Sequence, residues 1–257
     1  MDVDYNKKYS ILEINGGWVD RGGQGWRLGI PEGQGVYMNG QIYDYEGGRS
    51  SFRWEAGVEM VLEARFSFGE DEGVGTAGFG FWNAPFGDKE VGWPALPRAV
   101  WFFFGGEGND FPLRRWGAGR GWFVSTVDAG RPRAWSLAPW APVVVIGNRW
   151  GWWRERVWPW VQRQLGMSFQ LVGDDMREWH RYRLQWGREG CRFWCDERLL
   201  LETKQSPQGK LGFVCWVDNQ YLQVTATGGL GWGVSEVGER GQWLEIKGLQ
   251  IGQIGTL

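Results

Sequence analysis

An antiparallel β-sandwich or jelly roll is the fold class that this 257-residue sequence predicts, and three observations predict it. Apolar residues alternate with period two in stretch after stretch of the chain. Glycine, at 43 residues, interrupts those stretches at short intervals, as turns between short strands require. No linker, fixed-period repeat or long charged run divides the chain, so one domain over 1–257 is expected.

Taken in order, the start "MDVDYNKKYSILEINGGW" lacks the apolar run of a signal peptide, and no later run of about 18 apolar residues could span a membrane. The expectation is a cytoplasmic protein, a trimmed leader being the alternative. "VEMVLEARFSF" places Val58, Met60, Leu62, Ala64, Phe66 and Phe68 on one strand face, with Glu59, Glu63 and Arg65 on the other as a solvated convex face. The turn "GEDEGVG" follows; its Glu70, Asp71 and Glu72 could gather calcium, but consecutive turn carboxylates more often face water. "TAGFGFWN" is a second strand ending at Asn83. "AVWFFF" and "GWFVSTVD" are further strands, separated by the glycine-rich "GGEGNDFPLRRWGAGRG".

The segment Val143–Phe169 breaks the pattern with five tryptophans and four arginines. Pro159 suits the first turn of a short helix, "PWVQRQL", that Gly166 would end. The segment reads equally as a connection packed on the sandwich or as a lid or rim over a groove, bringing Trp152 and Trp153 to a ligand. A helix this short with a sparse basic face argues against a membrane-surface role. "WHRYRLQWGREGCRFWCDERLLLET", Trp179–Thr203, reads as two strands joined by a glycine-containing turn. "KLGFVCWVDNQYLQVTAT" is one long strand or two joined at Asp218–Asn219, and "QWLEIKGLQIG" closes the chain with Leu244 and Ile246 facing inward. Cys191, Cys195 and Cys215 are expected as reduced, buried thiols.

Composition narrows function by exclusion. A net charge of −2 lacks the basic surface that nucleic-acid backbones require. Twenty-one tryptophans in a chain of mean hydropathy −0.41 exceed the needs of a core. They point to a surface that stacks on something flat and partly polar.

Trp179, His180, Tyr182, Leu184 and Trp186, followed by Phe193, Trp194 and Asp196, resemble the paired strands of concanavalin A-like lectin and glucanase domains. The upstream "FRWEAGVEMVLEARFSF" and "GTAGFGFWN" are similar to that family's edge-to-centre strands, and together the matches cover about half the chain. The resemblance implies a jelly roll with a concave, carbohydrate-facing sheet. Family 16 glycoside hydrolases of this fold carry Glu-x-Asp-x-Glu on one strand, whose alternation aims two carboxyls about 5 to 5.5 Å apart into the groove. The corresponding "RAVWFFFGGEGND" presents Ala99, Trp101 and Phe103 instead, and the motif occurs nowhere in the chain. The resemblance thus implies the fold without its usual active site.

The expected function is therefore lectin-like glycan or small-molecule binding in a tryptophan-lined concave groove. Trp82, Trp101 and Trp216 would stack on sugar faces, while Asn83, Asp218, Asn219 and Tyr221 would meet hydroxyls. The alternative is an enzyme of other chemistry. It could be a glycosidase with displaced carboxylates drawn from Glu107, Asp110, Asp128 and Asp218, or an isomerase or cyclase acting on an apolar substrate beneath Trp150, Trp152, Trp153 and Trp158. An interaction domain using an exposed aromatic patch is the third reading. The sole histidine, His180, excludes a multi-histidine metal site and reads as a hydrogen-bonded neighbour of the core. No cofactor or metal is expected, and the oligomeric state is not encoded in any recognisable motif.

Overall fold

Period-two alternation becomes two seven-stranded antiparallel sheets in the computed structural model, which describes residues 9–23, 25–85, 92–114 and 118–257. Sheet I runs, edge to edge, β1 (Ser10–Ile14), β4 (Asn39–Tyr43), β13 (Gly212–Asp218), β6 (Thr76–Trp82), β7 (Arg98–Gly105), β8 (Gly121–Asp128) and β9 (Ser168–Leu171). Sheet II runs β12 (Arg198–Thr203), β11 (Cys191–Cys195), β10 (His180–Trp186), β5 (Val58–Phe66), β16 (Gln242–Gln253), β3 (Gly25–Ile30) and β2 (Trp18–Gly22). A separate hairpin joins β14 (Gln220–Val224) to β15 (Leu230–Val234). This is the jelly-roll sandwich that the resemblance implies.

The core lies between the sheets, where apolar residues of one strand face meet those of the other. Phe79 and Phe81 of β6 pack on Tyr182 and Trp186 of β10, with ring centroids 5.3 and 5.7 Å apart. Phe102 of β7 meets Phe193 of β11 at 5.6 Å. Leu244 and Ile246 are fully buried, and all three cysteines are free and buried in the core.

Three sequence expectations change. Trp179–Thr203 contains a three-stranded meander, because Asp196 and Glu197 adopt positive φ (46° and 66°) and turn the chain into β12 without glycine. Glu59 does not stand on a solvated face. It is buried, paired with Arg183, and its carboxylate accepts from the Gly255 amide 3.2 Å away, because the C-terminal segment folds over it. Glu63 is half-exposed beside Lys247 as expected.

The third change concerns the segment after β8. It folds into α1 (Pro132–Trp135), α2 (Ala141–Gly147) and α3 (Gly151–Gln164). The last is twice the expected length and carries Pro159 inside it rather than in its first turn. The missing Pro159 amide leaves the carbonyl of Glu155, an exposed residue, one partner short, so water can replace the lost bond. Gly166, at φ 66°, follows the C-terminus as expected.

The outer face of sheet II answers why so much arginine sits beside tryptophan. Arg27 lies 4.4 Å from the Trp243 ring, Arg65 4.9 Å and Lys247 4.2 Å from the Trp179 ring, with Glu245 bridging Arg27 and Arg65. These cations and indoles satisfy one another.

Candidate functional site

On sheet I the residues that alternate away from the core form a second aromatic cluster, and two glycines shape it. Gly78 and Gly80 of β6 stand opposite Phe103 and Trp101 of β7, and opposite Trp216 and Val214 of β13. A Cβ at Gly80 would lie 2.6 Å from the Trp101 Cα, and Gly80 holds φ 151°. The missing side chains let rings from both neighbouring strands converge. Trp82 and Trp216 lie parallel, within 5°, with centroids 6.0 Å apart; Trp101 sits 5.5 Å from Trp216 and 6.2 Å from Trp82.

Each indole N–H has a fixed acceptor. Trp82 donates to the Tyr45 hydroxyl, Trp101 to Ser125 Oγ and Trp216 to Thr76 Oγ1, all at 2.9 Å. Trp216 is 5% exposed and serves as the floor, while Trp82 and Trp101 remain half-buried. With their polar edges engaged, these two rings can offer only faces to a ligand.

A polar cluster closes one end of this platform. Asp218 Oδ1 accepts from the Thr76 amide at 3.1 Å, the Thr76 hydroxyl at 2.8 Å and the Gln220 amide at 3.1 Å. Trp216, Thr76 and Asp218 therefore form a continuous relay. The Tyr37 hydroxyl reaches Asp218 Oδ2 at 3.5 Å. Burial outweighs these hydrogen bonds and pushes the Asp218 carboxyl up to about 7. Burial, and then the Asp218 charge, push the Tyr37 phenol above its usual range. Beside them, buried Asn39 donates to Gln41 Oε1 at 3.5 Å, while its Oδ1 has no protein partner among the described residues.

The structure brings Trp82, Trp101 and Trp216 together, joins Asp218 to Trp216 through Thr76, and places the other expected residues elsewhere. Asn219 clamps the chain: its Oδ1 accepts from the Met38 amide, and its Nδ2 donates to the Val36 and Ser235 carbonyls. Asn83 is held similarly by Leu96 and Arg98. Tyr221 is half-buried in the β14–β15 hairpin, where any side chain at Gly233 would strike its ring. Asp128 points to the core face, accepts from the Gln208 amide and sits beside Arg131. Glu107 is exposed in the loop after β7, and Asp110 accepts from the Gly119 amide at 2.9 Å.

Asp128 and Asp218 cannot cooperate as an acid and base. The strand registers place them at opposite ends of sheet I, seven positions apart, which is about 23 Å at about 3.3 Å per residue. Trp152 and Trp153 pair edge-to-face at 5.8 Å within α3. Trp150 and Trp152 face solvent while Trp158 is buried, so the four insertion tryptophans do not enclose one apolar pocket.

Metal-binding chemistry is confined among the described residues to one grouping, His180, Cys195 and Asp196, whose donor atoms lie within 4.8 Å of one another. Both imidazole nitrogens are already engaged, Nδ1 with Asp196 Oδ2 at 2.5 Å and Nε2 with the Asp175 carbonyl at 3.0 Å. Burial works against the charged imidazole, but these two acceptors prevail and raise His180 above its ordinary value. Glu70 accepts from the Trp122 amide, and Glu72 from the Gly69 amide and Arg177, so the acidic turn is tied internally.

Tyr37, Asn39, Gln41, Thr76 and Ser125 were not legible as site residues. Asn39 and Gln41 do alternate with Tyr43 in "NGQIY", and Ser125 alternates with Phe123 in "WFVST". The signal was a polar residue at a face position flanked by aromatics.

No protein-family model and no curated protein sequence matches the chain. Among solved structures it is similar to the Emp47p carbohydrate recognition domain (13% identity, TM-score 0.49, covering 96% of this chain and 89% of that one). It is also similar to a Clostridium perfringens endo-β-galactosidase (10%, TM-score 0.49, 96% and 58%) and to Bacillus licheniformis β-glucanase (13%, TM-score 0.46, 95% and 92%). At these identities and scores the likeness says nothing of ligand or reaction; the sandwich stands on its own strand order.

Proposed function

We propose that the protein binds carbohydrate on the outer face of sheet I, with Trp82 and Trp101 stacking on pyranose C–H faces. The supporting observation is the tryptophan platform itself, with every indole N–H internally bonded and Trp82 and Trp101 left partly exposed. Aromatic faces suit the apolar side of a sugar ring, and nearby hydroxyl and amide groups suit its edge. Gln41 and the Tyr37 hydroxyl supply that polar edge beside Asp218. The sequence resemblance over Trp179–Asp196 implies the same ligand class.

Titration calorimetry against a panel of neutral and acidic oligosaccharides tests this reading. At least one should bind, and Trp82→Ala or Trp101→Ala should weaken it more than tenfold, whereas Trp93→Ala, in a loop outside sheet I, should not. Absence of any oligosaccharide signal, or full affinity in Trp101→Ala, would overturn it.

One observation favours a second reading, an enzyme acting on the same class. A carboxyl raised to about 7 can deliver a proton near neutral pH. Asp218→Asn would then abolish turnover while leaving oligosaccharide binding in place. Binding without turnover in the unmodified protein excludes the enzyme.

A further inference from the structure

The largest concentration of exposed apolar and cationic side chains lies outside the platform, in the helical insertion. In α3, Trp152, Arg156, Trp160 and Arg163 fall at spacings of four, four and three residues, so they share one helical face. All four are exposed, Trp152 to 62% and Trp160 to 45%. In and before α2, Trp140, Val143 and Ile146 repeat every three residues and are likewise exposed. The β14–β15 hairpin is exposed as well: Leu230 and Trp232 lie on one strand face, Trp232 being 74% exposed. Asn148, just after α2, donates to the Ala226 carbonyl in the hairpin turn at 2.8 Å, so helices and hairpin meet.

Charge identifies what this surface fits. Residues 131–167 carry six arginines and a single acidic residue, Glu155, in a chain whose total charge is −2. Tryptophan with arginine is the composition that settles at a lipid–water boundary, indoles at headgroup depth and guanidinium groups on phosphates. No helix among the described residues is long and apolar enough to cross a membrane, so the surface would lie on a bilayer. The expectation against a membrane role rested on a seven-residue helix with a sparse basic face; the helix observed is fourteen residues long and carries Arg156 and Arg163 exposed.

We propose that α2, α3 and the β14–β15 hairpin form a docking surface for anionic phospholipid bilayers. A second copy of the chain is the competing occupant, but the exposed Arg133, Arg149, Arg156 and Arg163 facing their own copies would repel. The proposal does not rest on glycan binding on sheet I.

The test is flotation of the full chain with vesicles of phosphatidylcholine alone and of phosphatidylcholine with about one-third phosphatidylserine. The protein should float with the anionic vesicles, weakly with the neutral ones, and less as salt rises. Arg156→Glu with Arg163→Glu should reduce anionic-vesicle binding at least tenfold. Trp152→Ala with Trp160→Ala should reduce it comparably, and Trp93→Ala should leave it unchanged. Circular dichroism keeps the comparison to folded variants; these side chains are exposed and not part of the core. No flotation with anionic vesicles, or flotation unchanged in both double variants, overturns the proposal. So does sedimentation showing a dimer that Trp152→Ala with Trp160→Ala dissociates.

Discussion

Replacing Asp218 with asparagine should make the protein more stable in alkaline solution, although the substitution is in a buried hydrogen-bonded site. The carboxyl is raised from 3.8 in the unfolded chain to about 7 in the fold. A carboxyl with a raised folded value favours folding fully only below its unfolded value. That contribution is lost as pH rises toward the folded value, the reverse of a salt-bridged aspartate. Each unit of difference is about 1.4 kcal/mol, so ionising Asp218 in place costs about 4 kcal/mol at pH 8.

Asparagine is nearly isosteric and keeps an acceptor for the Thr76 and Gln220 amides and the Thr76 hydroxyl. It carries no charge to desolvate. For a chain of this size, about 4 kcal/mol corresponds to about 10 °C in Tm. Calorimetric unfolding of the two proteins from pH 4 to 8.5 reads this directly. The wild-type Tm should fall progressively between about pH 4 and 7.5. The Asp218→Asn curve should be flatter and lie above it at pH 8. Parallel curves, or a variant less stable at pH 8, would refute the balance of burial over hydrogen bonding assigned to this carboxyl.

Gly80→Val should lower stability by several kcal/mol and abolish oligosaccharide binding together, since its Cβ would lie 2.6 Å from the Trp101 backbone at φ 151°; chemical denaturation and calorimetry check both losses. Asn219→Ala leaves the Met38 amide and the Val36 and Ser235 carbonyls without their side-chain partner, at about 1–3 kcal/mol for each group kept from water. Its denaturation midpoint should drop accordingly with little change in the slope. Asp196→Asn weakens the His180 pair. The raised imidazole stabilises the fold below its unfolded value near 6.5 and loses that contribution as pH rises through the folded value. The variant's deficit should therefore be present at pH 5.5 and shrink above neutrality, and a pH-independent deficit would contradict the charged pair.

Local chemistry made much of the fold readable. Val58, Met60, Leu62, Ala64 and Phe66 face the core because side chains alternate on any strand, wherever that strand ends up. The inward faces of β6, β7, β8, β10 and β16 follow equally, as does Gly166 after the last helix. Trp82, Trp101 and Trp216 could be chosen as platform residues because each occupies the non-core face of a strand that is otherwise apolar.

What the linear chain could not determine was where each polar group spends its hydrogen bonds. Asn219 and Asp218 are adjacent in "WVDNQY", yet one clamps Val36, Met38 and Ser235 while the other anchors the tryptophan relay. Asp128 and Asp218 look equivalent as strand-end carboxylates, but the strand registers set them at opposite ends of sheet I. Glu59 alternates to the outer face as periodicity demands, and is buried only because the distant C-terminus crosses it. Tryptophan 152 and tryptophan 158 differ by under two helical turns, and only the body beneath α3 decides which is exposed. Alternation is a property of the backbone and travels with the sequence; partners, ends and cover come from residues dozens to hundreds of positions away, and so exist only once the sandwich has closed.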